Sequence, residues 1–110
     1  MESQSDRSEA RAAENEVLYR NANQEIERRR AELDVPGLTP FLCECEDESC
    51  KALIFLNQEE YAEARTKPNW FILAPGHPFR TGTIRSSTDR FILVEKHGLA
   101  KEIAERDASS

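Results

Sequence analysis

A chain of 110 residues is long enough for one small hydrophobic core. Apolar residues make up 38% and charged residues 33%, the mix of a polar globular domain. The formal charge of −6 argues against a general nucleic-acid binder, which needs a basic surface to neutralise phosphates.

The opening Met1-Glu2-Ser3-Gln4-Ser5-Asp6-Arg7 lacks the apolar stretch of a signal peptide, and no run is long and apolar enough to span a membrane. The expectation is a cytoplasmic protein with no membrane partner. In that reducing compartment clustered thiols more often bind metal than pair as disulfides. Residues 1–14 are expected to form a disordered tail, ahead of a single α+β metal-binding domain over 15–107. From Glu9 to Leu33 good helix formers run without Gly or Pro, predicting an N-terminal helix over about 9–33. Its expected inward stripe is thin: Leu18, Ala22, Ile26, Arg29 and Leu33, broadened by Val17 and Tyr19. Arg28-Arg29-Arg30 near its end suits the helix macrodipole and reads first as a solvated helix end. Pro36-Gly37 stops the helix.

Beyond Gly37 the apolar period changes from helix to strand. Thr39–Cys45 and Cys50–Leu56 are expected to form a hairpin around the loop Glu46-Asp47-Glu48-Ser49. With Cys45 opposite Cys50, Cys43 faces Ala52 and Phe41 faces Ile54. Side chains alternate in a strand, so all three thiols then share one face with Phe41, Ala52 and Ile54. Leu42, Leu53 and Phe55 fall on the other face, which the N-terminal helix is expected to cover unless a second chain does. Asn57 with Glu60 resembles a capping box opening a short helix, Gln58–Thr66, that presents Tyr61, Ala64 and Arg65. A third strand, Trp70–Ala74, enters the turn Pro75-Gly76-His77-Pro78. Phe79–Asp89 reads as a loop. A fourth strand, Phe91–Glu95, precedes His97-Gly98 and a last helical turn or two over Ala100–Arg106. The expected fold is α+β: the N-terminal helix on a small four-stranded sheet.

Every cysteine of the chain lies in Cys43–Cys50, among Glu44, Glu46, Asp47 and Glu48. A nucleophilic thiol needs cationic neighbours that lower its pKa, and carboxylates act the other way. A divalent cation, by contrast, deprotonates its ligands and is favoured by surrounding negative charge. A structural zinc takes four Cys or His ligands, so Cys43, Cys45 and Cys50 require one more. The expected fourth ligand is His77, held in a rigid turn, with His97 after the fourth strand as the alternative. Plain buried thiols are the competing reading, and a Cys45–Cys50 disulfide, or use of the thiols as a redox switch, is a further one.

The string Phe41-Leu42-Cys43-Glu44-Cys45, then Cys50, Asn57-Gln58-Glu59-Glu60-Tyr61, Ala74-Pro75-Gly76-His77 and Val94-Glu95-Lys96 resembles a group of small bacterial proteins of unassigned activity. Asn15-Glu16, Asn23 and Ile26 are similar as well, so the resemblance runs over most of residues 15–97. It implies that Cys43, Cys45, Cys50 and His77 belong together. Glu46 departs from the pattern, which has a small turn residue there, and His97 has no counterpart in it. The functional expectation is a non-enzymatic module binding one structural zinc, with another protein as partner through the N-terminal helix. A Cys/His enzyme or thiol redox sensor is the alternative, although the chain lacks a nucleophile elbow, a Gly-rich phosphate loop and a deaminase pattern. A nucleic-acid module ranks third, on Arg28-Arg29-Arg30 and Arg80, Arg85 and Arg90.

Overall fold

The computed structural model describes residues 4–79 and 81–109. Among the described residues three helices, α1 (Gln4–Leu33), α2 (Gln58–Ala64) and α3 (Gly98–Ala108), accompany five strands: β1 (Thr39–Leu42), β2 (Leu53–Leu56), β3 (Trp70–Leu73), β4 (Thr83–Ser87) and β5 (Ile92–Glu95). The class is α+β, but the expected single four-stranded sheet is not formed. Instead β1 and β2 make a two-stranded antiparallel sheet, and β3, β5 and β4 make a second one with β5 in the centre. Both sheets contribute to one core, which joins Phe41, Ile54 and Leu56 to Phe71, Ile72, Leu73, Leu93 and Val94. The ring of Phe41 stacks on Tyr61 of α2 at 4.4 Å between centroids.

The hairpin has the expected register, with Phe41 opposite Ile54 and Leu42 opposite Leu53. Its strands are shorter than Thr39–Cys45 and Cys50–Leu56. Cys43 still donates its N–H to Ala52 O at 3.3 Å, but the next residue turns away and Glu44 donates to Ile72 O at 2.8 Å. The chain thus leaves β2 to reach β3, and this crossing joins the two sheets.

The additional strand, β4, lies within the segment expected to be a loop. Its sequence, Thr-Ile-Arg-Ser-Ser, has one aliphatic residue and is mostly exposed, with a register irregularity between Ile84 and Ser86. Such an edge strand is held by its backbone ladder rather than by an apolar face, so hydrophobic periodicity does not announce it. Gly82, at φ +146°, lets β4 approach: a Cβ there would lie 2.7 Å from Glu95 O and from Val94 Cγ1. Gly82→Ala should therefore lower stability by about 2 kcal/mol or more, from strain plus backbone displacement. Urea unfolding checks this, and an unchanged midpoint would show that β4 can move aside.

Helix α1 begins at Gln4, so it takes in residues 4–14 of the expected tail. Its buried side meets the expected stripe only at Val17, with Ile26 packed half-buried against the core. Leu18 and Leu33 are exposed, whereas Ala13, Glu16, Val17, Arg20 and Asn23 are buried, at helical spacing. Nor does α1 cover Leu53 and Phe55, which remain 56% and 44% exposed. Helix α1 packs on α3 and β1 instead. The reason is the polarity of its buried face, which can enter the interior only where partners await each group. Glu16 pairs with Lys96 Nζ at 2.8 Å, both side chains nearly inaccessible. Arg20 reaches Asp107 of α3 at 3.0 Å and Pro68 O at 2.6 Å. Asn23 accepts from Leu42 N–H at 2.8 Å and donates to Leu42 O at 2.9 Å. That side-chain amide takes the place of a neighbouring strand and closes the free edge of β1.

The short helix α2 has the expected capping box in full: Glu60 N–H donates to Asn57 Oδ1 and Asn57 N–H donates to Glu60 Oε1, both at 2.8 Å. Tyr61 and Ala64 point inward. Helix α3 is longer than expected, because contact with α1 stabilises turns that the sequence alone leaves marginal.

Candidate metal centre

Cys43, Cys45 and Cys50 project from the end of the β1–β2 hairpin, and His77 from the turn that follows β3. Their four ligand atoms, three Sγ and one imidazole nitrogen, all lie within 4.8 Å of one another. Cys50 Sγ is 3.8 Å from His77 Nε2. In a tetrahedron with Zn–S of about 2.3 Å and Zn–N of about 2.0 Å, ligand atoms stand about 3.5–3.8 Å apart. The cluster needs only small side-chain adjustments to meet that geometry, so it is positioned to hold a metal ion. All three cysteines are free thiols.

Local sequence explains the placement of each ligand. His77 N–H donates to Ala74 O at 3.0 Å, closing a turn with Pro75 and Gly76 at its centre. Gly76 has φ +74°, and Pro followed by such a glycine is the composition of a type II turn. In the acidic loop, Asp47 Oδ1 accepts from Ser49 N–H at 2.9 Å and from Ser49 Oγ at 2.7 Å. Cys50 N–H donates to Asp47 O at 3.1 Å. This turn brings Cys50 back beside Cys45. Helix α1 supports the loop from outside, with Asn15 Nδ2 donating to Cys45 O at 3.0 Å and Tyr19 Oη donating to Glu48 O at 2.9 Å.

The carboxylates do not act on the thiols as expected. Burial, first of all, pushes the Cys43 and Cys45 thiols above their ordinary range, and the Cys50 thiol adds to both. Asp47 serves the turn. Glu44 is fully buried and faces elsewhere: Arg65 Nη2 donates to its Oε1 at 2.6 Å, Ile72 N–H to the same atom at 3.0 Å, and Asn23 Nδ2 to Oε2 at 2.8 Å. One backbone donor does aim at sulfur, since Ala74 N–H lies 3.3 Å from Cys43 Sγ. Such a contact favours the thiolate form that a metal requires.

His97 lies apart from this group. It precedes α3 and its Nε2 is 2.9 Å from Thr83 Oγ1 on β4. The arginines behind the nucleic-acid reading are paired: Arg28 with Glu25, Arg29 with Glu32 at 3.3 Å, Arg30 with Glu27 at 2.8 Å. Arg85 lies 3.6 Å from Glu95 and Arg90 lies 2.5 Å from Glu60. Arg80 falls outside the described residues.

The sequence did not show the supporting role of Asn15, Tyr19, Asn23 and Glu44, although Asn15 and Asn23 fall among the residues of the resemblance and Glu44 is the one acidic residue between two cysteines within the expected strand. No protein-family model, curated protein or solved structure matches the chain.

Proposed function

We propose that the chain is a small non-enzymatic zinc-binding module that works in the cytoplasm by binding another protein. The convergence of Cys43, Cys45, Cys50 and His77 within 4.8 Å carries this reading. Four protein ligands close a zinc tetrahedron and leave no position for a substrate or an activated water. Three ligands come from the connection between β1 and β2 and the fourth from the turn after β3, so a bound ion would clip together two sheets whose shared core is small. Partner binding draws support from Leu18 and Leu33, exposed on α1, and from Val35 and Leu38 just beyond it. The same reading groups the chain with the small bacterial proteins sharing the Phe-Leu-Cys-Glu-Cys…Pro-Gly-His pattern, on the motif residues alone.

Metal analysis on protein purified without a chelating tag tests the proposal. The expected result is one zinc per chain with no titratable thiol. His77→Ala should weaken zinc binding by more than the about 10–100-fold that loss of an outer partner costs, while His97→Ala leaves it unchanged. Metal-free protein with three titratable thiols would overturn the reading.

A further inference from the structure

We propose that a pocket of about 230 Å³, lined by Arg20, Gln24, Arg65, Lys67, Pro68 and Ala108, binds a small oxyanion through a carboxylate or phosphate group. It lies between α1, the turn after α2 and the end of α3, apart from the thiol cluster. Three of its six lining residues are cations, in a chain whose formal charge is −6. Asp107 answers Arg20 at 3.0 Å and Glu44 answers Arg65 at 2.6 Å. Lys67 therefore leaves the group with one positive charge in excess.

The guanidiniums are also short of acceptors. Arg20, only 3% exposed, gives Nη1 to Pro68 O and Nη2 to Asp107. Its Nε, together with Nε and Nη1 of Arg65, is buried without a hydrogen-bond partner among the described residues. Buried donors of this kind are rarely left unsatisfied, and a charged one costs more than a neutral one. Burial first, and then the charge of nearby Arg65, lower the pKa of Arg20 against the opposing pull of Asp107 and Glu44, and a further anion in the pocket would offset the repulsion that remains. A guanidinium presents its donors as a planar fork that matches carboxylate and phosphate oxygens. The volume is below the about 300–1,000 Å³ of drug-sized pockets, which restricts the occupant to a small anion or to the acidic end of a larger molecule.

The experiment follows the Arg20 and Arg65 Nε–H resonances of the metal-loaded chain during titration with sodium phosphate, sodium acetate and, as control, sodium chloride at equal ionic strength. Saturable shifts with phosphate or with acetate, absent with chloride, are expected, and the tighter of the two identifies the group recognised. Arg20→Ala would disturb the Asp107 contact, so exposed Lys67 is the better variant site. Lys67→Glu should melt like the wild type yet bind the anion at least about tenfold more weakly. Shifts that chloride reproduces, shifts that never saturate, or wild-type affinity in Lys67→Glu would each overturn the proposal.

Discussion

Cys45→Ser should release the metal and lower the melting temperature by at least about 15 °C, and chelation of the wild type should do the same. Cys45 is fully buried where the hairpin turns toward β3, so its thiol serves both the cluster and the junction of the two sheets. The four ligands form a constellation only in the folded chain, which makes their binding free energy part of the folding free energy. The pH dependence separates the two forms. In the metal-free chain the buried Cys43 and Cys45 thiols hold their protons above the ordinary thiol value of 9.0. Between that value and the raised one, the unfolded chain binds fewer protons than the folded chain, so stability falls as pH rises. Chelated protein should therefore weaken above about pH 9. The loaded protein, whose thiolates are already formed, should instead lose metal and stability as pH falls. Thermal melts from pH 5 to 10, with and without chelator, check both arms. Coincident curves would exclude a structural metal.

Glu44→Gln should cost about 3–5 kcal/mol, the range for breaking a buried ion pair by removing one partner. The substitution keeps the shape of the side chain but removes the charge and turns one acceptor oxygen into a donor. Glu44 Oε1 accepts from Arg65 and from Ile72 N–H, and Oε2 accepts from Asn23. Whichever way the glutamine amide turns, its NH₂ meets a donor, and Arg65 keeps a buried charge without its carboxylate. The expected fall in melting temperature exceeds about 10 °C. Asn23→Leu should produce part of the same loss, because it also uncovers Leu42 on the edge of β1. A Glu44→Gln melt within about 2 °C of wild type would mean that water replaces the carboxylate, and that the junction of the sheets rests on the apolar core alone.

The sequence by itself determined the local features. The register of the paired strands follows from side-chain alternation, although the loop joining them is longer than the four residues expected, and the Asn57–Glu60 box follows from chemistry between residues three apart. The Pro75-Gly76 turn follows from two residues whose backbone preferences are intrinsic. Together these are enough to bring the three thiols to one end of a hairpin and to present His77 on a rigid corner. Tertiary structure alone decided which way α1 faces, because its buried face sets Glu16, Arg20 and Asn23 beside Ala13 and Val17. A polar side chain is buried only if distant groups satisfy it, and nothing at positions 16, 20 or 23 announces Lys96, Asp107 or the Leu42 backbone. The division into two sheets has the same origin. The backbone leaves β2 at Glu44 because Ile72 O accepts its N–H and its carboxylate finds Arg65, Ile72 N–H and Asn23. Those partners lie about twenty to thirty positions away in the chain, beyond the reach of any periodicity in the sequence.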